Sequence, residues 1–508
     1  MEKKGKKSGN SILRAVLVGI SLLLQIGWLL LMILKLNRYS AYISLLTGVL
    51  ALVVVLRLYS KDMGSAYKLP WIMLIMALPV MGLSLYLLSE AAMSTKGMGK
   101  RMEKLRTSTI TCLDEDAVVM ETLSKENLAV GNQVRYLSTK GQCPVYAGTV
   151  VTYFAHGAQA LEVMKKDLET AENFIFMEYF IIEDGISFNE ILDILIRKAK
   201  AGVDVRLMYD DIGSLGYVNW RYAAKLNQAG IKCQVFNPAL PILSPFMNHR
   251  DHRKITVIDG KVGYTGGYNL ADEYFGLRFP YGQWKDTGIR IEGEAVQSLT
   301  ATFLELWQLN RREEENVEEF LKVSHRVDVP GYVQPFGDSP LTGERLAENA
   351  YINLINHAKR YVWLMTPYLI ITDELRRALE LAAKRGVDVR IITPGIPDKK
   401  AVYAVTRSYY GTLCKAGVRI FEYSPGFLHA KQCVCDGEVA LIGTSNLDFR
   451  SLYLHFENDV LLYDCPAVAQ MDADFRETIT QCREVTQSLS GKVLRFWQCI
   501  LRLFAPLL

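Results

Sequence analysis

Lys198 to Asp211 reads KAKAGVDVRLMYDD, and Leu381 to Pro394 reads LAAKRGVDVRIITP. In each, an amphipathic stretch stops at a glycine and an apolar run of strand type follows. The pentapeptide Gly202 to Arg206 recurs as Gly386 to Arg390, 184 positions later. Before Gly386, Leu375, Ala378, Leu379 and Ala382 recur at helical spacing, and the glycine is placed as a helix stop. Val387, Val389, Ile391 and Ile392 then read as a buried strand. The matching pieces of the first copy are Ile191 to Ala201, Gly202, and Val203 to Met208. Upstream, NFIFMEYFII from Asn173 and YVWLMTPYLII from Tyr361 are β-rich and too apolar for a sheet edge. Each copy therefore alternates strand and helix, which predicts two similar α/β sandwich halves around a mostly parallel or mixed sheet.

Downstream of each copy lies a chemical motif. His252, Lys254 and Asp259 stand in HRKITVID, and His429, Lys431 and Asp436 in HAKQCVCD, 177 positions apart. Seven residues past each Asp is a glycine, Gly266 or Gly443, and ten past it an asparagine, Asn269 or Asn446. The other five histidines lack this pattern. Strand alternation sends residues i and i+2 to one face, so each His and its Lys project together and can reach one phosphate. The Gly turn after the next strand lets backbone amides and the Asn side chain approach the same anion. Asp259 and Asp436 precede Gly260 and Gly437, where an Asp-Gly hairpin turn is natural. Within the candidate catalytic set His252, Lys254, Asp259, His429, Lys431 and Asp436, these two carboxylates are read as orienting or structural rather than as proton carriers.

The paired H-x-K-x4-D motifs with trailing Asn resemble the phospholipase D superfamily. The stretches NHRDHRKITVIDGKVGYTGGYNLADEY, WKDTGIRIEG and GFLHAKQCVCDGEVALIGTSNLDFRSLYLHFEND resemble, more closely, its bacterial cardiolipin synthases. The resemblance implies phosphatidyl transfer between two phosphatidylglycerols, giving cardiolipin and glycerol. One His attacks phosphorus, the other protonates the leaving alcohol, and the roles then reverse. It also implies that His252 is the nucleophile and His429 the general acid/base, a choice that the internal symmetry leaves open. Residue chemistry agrees, since Lys254, Lys431 and the Asn amides can neutralise a phosphodiester and a covalent intermediate divides a hard displacement in two. An acidic partner that fixes the tautomer of each imidazole is expected. Asp286 in QWKDTGIRI and Glu457 in HFENDVLL, each just before an apolar strand, are the candidates; with Asn269 and Asn446 they are placed in the substrate-binding set. No cofactor is implied, and no metal-ligand spacing is present.

The first hundred residues have a different composition. Segments at about 15–34, 40–58 and 69–88 are long and apolar enough to read as membrane spans, the second marginally. Trp71 and Tyr86 lie near the ends of the third, as interfacial anchors do. The basic tail before residue 15 raises a cleaved signal peptide, but the apolar core is too long and no small-residue cleavage site follows. Basic residues flanking the spans number eight on one side and seven on the other, so charge does not orient them, and a re-entrant second segment leaves a two-span arrangement open. The domain reading is a membrane anchor over 1–89, a basic juxtamembrane linker over 90–133, the first half over 134–330, the second over 331–490, and an amphipathic tail over 491–508.

In the linker, Lys96, Lys100, Arg101, Lys104 and Arg106 suit anionic headgroups. The tail KVLRFWQCILRLFAPLL either lies in the membrane interface or packs on the domain. Nine cysteines, some within apolar strands, lean toward a reducing compartment, hence a multi-pass protein of the cell membrane with its catalytic part facing the cytoplasm. A net charge of +4 over 508 residues does not suggest a nucleic-acid binder, and the spans disfavour a nuclease of the same superfamily. The expected partners are phosphatidylglycerol and the lipid bilayer. The alternatives are a phospholipase D or a phosphatidyltransferase with another alcohol acceptor, and, least favoured, a noncatalytic membrane scaffold.

Overall fold

The computed structural model describes residues 40–505 apart from 62–63, 93–95, 114–115, 239–247, 312–313, 323–324, 487–491 and 504, and four isolated residues before 40. The first expected span, 15–34, lies essentially outside the described residues.

The first half contributes strands β2 to β9, preceded by β1 (Tyr146–Ala147): β2 (Thr149–Phe154), β3 (Phe174–Tyr179), β4 (Asp204–Asp210), β5 (Lys232–Phe236), β6 (Lys254–Ile258), β7 (Val262–Gly266), β8 (Gln283–Lys285) and β9 (Gly288–Gly293). The second contributes β10 (Tyr332–Asp338), β11 (Tyr361–Met365), β12 (Leu369–Ile370), β13 (Asp388–Pro394), β14 (Arg419–Tyr423), β15 (Gly426–Leu428), β16 (Gln432–Cys435), β17 (Val439–Gly443), β18 (Leu447–Asp448), β19 (Glu457–Tyr463) and β20 (Cys482–Glu484). The first sheet has the order β2-β9-β7-β6-β3-β4-β5, and the second has β10-β19-β17-β16-β11-β13-β14 with β1 and β20 added at its edges. In both, pairing is antiparallel as far as β3 or β11 and parallel from there to β5 or β14, with the added edge strand β20 antiparallel to β14. The internal repeat in sequence is thus a repeat of one mixed sheet, strand for strand.

The local signals act as the sequence implies. The helix Ile186–Lys200 buries Phe188, Ile191, Leu192 and Leu195, and the helix Asp373–Lys384 buries Leu375, Ala378, Leu379 and Ala382. Thr372 caps the second, its hydroxyl oxygen accepting from the Leu375 amide at 3.1 Å. Gly202 (φ 98°) and Gly386 (φ 91°) end the two helices in the left-handed region, and nothing would touch a Cβ at either place. Backbone conformation, not space, requires glycine there.

Between the sheets lies a shared core. The helix Val296–Arg311 is buried from Val296 to Leu309 and packs among Phe176, Val257 and Ile289 of the first half and Val434, Ile442 and Val460 of the second. The helix Pro466–Thr480 crosses toward β2, where Asp474 accepts from Lys285 Nζ at 2.6 Å and from Tyr153 OH at 2.7 Å.

Three parts of the domain reading change. The helices Ala117–Glu126 and Leu128–Gly141, expected as linker and start of the first half, pack into the core of the second with Leu346, Tyr351 and Leu354, and β1 pairs with β10. The first half therefore begins near Thr149. The basic helix Lys96–Ile110 lies on Val296–Arg311; Arg106 is buried, donates to Gly337 O at 2.9 Å and stands 4.0 Å from Glu305, while Lys104 pairs with Glu314 at 2.7 Å. Arg101 also donates to Gln308 O at 3.5 Å, so three of the five cations read as headgroup ligands serve the protein itself.

The third expected span is not one helix. Ser65–Ala77 and Pro79–Ala92 are separate helices, because the proline ring removes a donor and restarts the chain at a first helical turn. A continuous helix would hold Trp71 and Tyr86 about 22 Å apart; their ring centres are 5.5 Å apart instead. Gly82 permits this fold-back, since a Cβ there would meet the Ile75 Cα at 2.6 Å. Among the described residues, no helix is long and apolar enough to cross a membrane. With Ser40–Ser60 these helices enclose a small core of Ala51, Leu58, Ile75, Leu83 and Tyr86. Tyr67 fastens the group to the second half, its ring 5.7 Å from Phe449 and 5.3 Å from Tyr453. The tail helix Lys492–Leu503 packs on Lys400–Lys415 through Gln498, which donates to Ala404 O at 3.1 Å, and Arg502, stacked 4.1 Å above Tyr409. Its outer face leaves Phe496 and Trp497 exposed.

Candidate active site

His252 stands just before β6 and His429 just before β16, so each motif histidine leaves its sheet at the edge facing the other half. There each is pinned to the opposite half by backbone pairing. Asp251 bridges to Phe456, with the His252 amide donating to Phe456 O and the Phe456 amide to Arg250 O, both at 2.9 Å. β15 runs parallel to β8, and the His429 amide donates to Lys285 O at 2.7 Å. The partner segment in each case delivers its carboxylate one residue later. Glu457, of the second half, faces His252 Nδ1 at 2.8 and 2.9 Å; Asp286, of the first half, faces His429 Nδ1 at 2.6 Å. The acidic partners are the two residues that the sequence nominates, and the structure crosses them between halves. A proton on Nδ1 directed at the carboxylate leaves the Nε2 lone pair of each ring for chemistry.

Lys254 and Lys431 are fully buried beside their histidines, each donating from Nζ to the carbonyl of its own His, and Lys431 Nζ lies 2.8 Å from His429 Nδ1. Burial, then neighbouring positive charge, dominates the electrostatics. Both imidazoles are held well below the ordinary histidine range, His252 by burial and by Lys254 and Lys431, His429 by burial and by Lys431 and Lys254. Burial also lowers Lys254 to about 7 and Lys431 to about 8, against the pull of Glu457 and Asp286. Burial raises Asp286 to about 7, opposed by Lys431. An anionic phosphodiester placed beside them favours the charged form of both lysines and counters the effect of burial.

Several contributors carry no motif. Thr444 Oγ1 and Ser451 Oγ donate to Glu457 at 2.5 and 2.6 Å, and the Thr287 amide donates to Asp286 at 2.9 Å. Asn458 accepts from the Lys254 amide at 3.3 Å and donates to Thr265 at 2.7 Å, tying the halves beneath the site. Aromatic rings shape it: Tyr274, Trp284 and Phe427 surround His429 at 5.3, 5.7 and 5.8 Å, and Phe180 and His455 flank His252 at 5.0 and 5.5 Å. The only sequence signal for Trp284 and His455 is position, each two residues before an acidic partner.

The two asparagines differ. Asn446 is buried with its Oδ1 unpartnered, whereas Asn269 accepts from the Ile181 amide at 3.1 Å and donates to Tyr274 OH at 2.9 Å, so its amide holds Tyr274 against His429. His252, His455 and Glu457 offer ligand atoms within 4.8 Å of one another, the one such metal-spaced group among the described residues. The adjacent positive charge of Lys254 and Lys431 opposes a dication there.

Asp259 and Asp436, grouped by sequence with the catalytic set, lie at the far ends of β6 and β16, about 16 Å from the lysines by strand rise. Asp259 accepts from the amides of Glu172, Asn173 and Phe174 at 2.7–2.8 Å, and Asp436 from those of Lys359, Arg360 and Tyr361 at 2.8 Å. Both adopt positive φ, 50° and 55°. Each pins the helix-to-strand turn that opens the central strand of its half. Asp259→Ala is expected to destabilise the protein by about 2–4 kcal/mol, from three amides losing their acceptor, while the folded fraction keeps its turnover; thermal melting alongside active-fraction kinetics checks it.

The sequence matches the family described as "Cardiolipin synthase, PLD-like domain" over residues 164–307 and 351–479. A protein of Streptococcus mutans described as uncharacterized is 41% identical over 89% of this chain and 99% of its own length. Cardiolipin synthases of Oceanobacillus iheyensis and Alkalihalophilus pseudofirmus are 33% and 34% identical, over 88% and 89% of this chain and 94% and 91% of theirs. The crystal structure of phosphatidylserine synthase from Haemophilus influenzae shares the fold at a TM-score of 0.57 and 17% identity, covering 74% of this chain and 97% of that one. With both histidine, lysine and carboxylate sets assembled at one junction, the chain belongs to the cardiolipin synthase family of phospholipase D-like enzymes.

Proposed function

We propose that the protein is a membrane-associated cardiolipin synthase that transfers a phosphatidyl group from one phosphatidylglycerol to another, releasing glycerol. The carrying observation is the pair of crossed His–carboxylate contacts flanked by Lys254 and Lys431. His252 Nε2 attacks the phosphorus of the donor, the bond from phosphorus to the glycerol oxygen breaks, and His429 passes its Nε2 proton to that oxygen. The acceptor's hydroxyl then returns a proton to His429 while its oxygen attacks phosphorus, the P–N bond breaks, and His252 is regenerated. Both rings are neutral in the free enzyme. The incoming phosphate monoanion offsets the lysine charge and lets one ring hold the acid proton.

The lipid assignment draws support from the leader. Leu45, Leu46, Val49, Leu52, Val53 and Leu56 of Ser40–Ser60 are all more than half exposed, an apolar surface of a kind that water-facing helices do not present. Leu69 and Met76 continue it on the next helix, and Phe496 and Trp497 add an interfacial pair on the tail. These surfaces support a bilayer location, and the eight described cysteines, all free, are consistent with catalytic halves on its cytoplasmic side.

The test is purified protein in mixed micelles with labelled phosphatidylglycerol. Cardiolipin and glycerol are expected in equal amounts; phosphatidic acid without cardiolipin would overturn the synthase reading.

A further inference from the structure

His455 is buried beside the reacting groups, yet neither of its ring nitrogens has a hydrogen-bond partner. Glu457 Oε1 stands 3.7 Å from Nδ1, outside hydrogen-bonding range. That carboxylate is already committed to His252, Thr444 and Ser451. A buried polar group left unpaired destabilises a fold, so this imidazole is kept for a state in which something pairs with it.

Its surroundings show how that state arises. The Phe180 ring lies over three groups at once: 6.4 Å from the His455 ring at 29° between planes, 5.0 Å from His252, and 5.7 Å from the Lys254 ammonium. Phe180 is the only one of the four that is not buried. Beside His429 the corresponding place, two residues before Asp286, holds Trp284. The site is therefore symmetric in histidine, lysine and carboxylate, and asymmetric here: one half lays an indole beside its histidine, the other an unpartnered imidazole beside a half-buried phenyl ring.

We propose that His455, uncovered when Phe180 turns aside, binds a hydroxyl of the polyol portion of the substrate, next to the hydroxyl that reacts, and so selects a glycerol-bearing acceptor over water or a monohydric alcohol. A neutral imidazole offers one donor and one acceptor, the complement of a hydroxyl. Burial keeps it neutral, pushing its pKa down to about 3. A divalent cation is disfavoured as the occupant, because Lys254 and Lys431 face the same space. A site built to hydrogen-bond a substrate hydroxyl discriminates strongly against analogues lacking it. The proposal rests on the phosphatidyl-transfer reading above.

The experiment is acceptor competition with the full-length protein and phosphatidylglycerol as donor. Labelled glycerol entering phosphatidylglycerol is measured against labelled 1-propanol entering phosphatidylpropanol, together with the ratio of cardiolipin to phosphatidic acid. The unaltered protein is expected to prefer glycerol, and His455→Phe to lower both ratios roughly tenfold, with His455→Asn recovering part of the loss. Ratios unchanged in His455→Phe, or a uniform fall of all products, would assign His455 to packing or to holding Glu457 and overturn the proposal. Should His455→Phe not fold, equal use of glycerol and 1-propanol by the unaltered protein overturns it as well. A protein that makes no transfer product with any alcohol refutes the functional reading instead.

Discussion

Replacing either His252 or His429 with Ala is expected to lower cardiolipin formation by ~10⁴-fold or more, and the double variant should be little worse than either single one, because the two rings act as a unit. The losses should differ in kind. With a phosphatidyl ester whose leaving group departs without a proton, such as 4-nitrophenol, the variant lacking the general acid should still release 4-nitrophenolate in a first turnover, whereas the variant lacking the nucleophile should not. Release by His429→Ala and none by His252→Ala is the expected pattern. The opposite result would exchange the roles, and an active single Ala variant in the cardiolipin assay would remove the two-histidine mechanism.

The second large effect follows from the crossing of the acidic partners. Glu457→Gln and Asp286→Asn are each expected to cost about 10²–10⁴-fold in kcat/KM, because each histidine loses the carboxylate that orients its tautomer and stabilises its cationic form. The informative readout is the company that each variant keeps. Glu457 belongs to the second half by sequence but faces His252, so Glu457→Gln should behave with the activated ester as His252→Ala does. Asp286→Asn should behave as His429→Ala does. Grouping by sequence half would sink the crossed arrangement. The pH profile gives an independent check, since kcat/KM reports the free enzyme. Asp286, raised by burial to about 7, takes up a proton as pH falls below that value and loses the charge that supports His429. Lys254, lowered to about 7, and then Lys431, lowered to about 8, lose their charges as pH rises through those values, and with them the phosphate. A narrow optimum between these limbs is expected, and Asp286→Asn should flatten the acid limb.

How much of this was legible in the sequence differs by feature. The helix stops at Gly202 and Gly386, the strands after them, and the pairing of His with Lys two residues on are local, set by periodicity and backbone conformation. A structural role for Asp259 and Asp436 was also readable from the following glycines, although their actual partners, amides some 80 residues upstream, were not. The third apolar segment misled, because hydropathy records length and polarity but not the Pro79 break or the absence of a Cβ at Gly82. The basic run from Lys96 to Arg106 misled for a related reason. Charge in sequence is silent about whether a guanidinium meets a headgroup or Glu305 and the Gly337 carbonyl in a protein core.

By itself the sequence determined that two like α/β halves exist, that each carries one His and one Lys on one face, and that a phosphodiester is the chemistry they suit. All of these are consequences of short-range spacing, and a repeat displays them twice. Only the tertiary structure decided which carboxylate serves which histidine, that the helices Ala117–Glu126 and Leu128–Gly141 belong with the second half, and that the apparent symmetry of the site breaks at His455. The crossed carboxylates depend on parallel backbone pairing between segments 143 and 205 residues apart, and the placement of the early helices on the antiparallel pairing of β1 with β10. Such contacts are fixed by the fit of two sheets around a shared buried helix, and no local pattern records them.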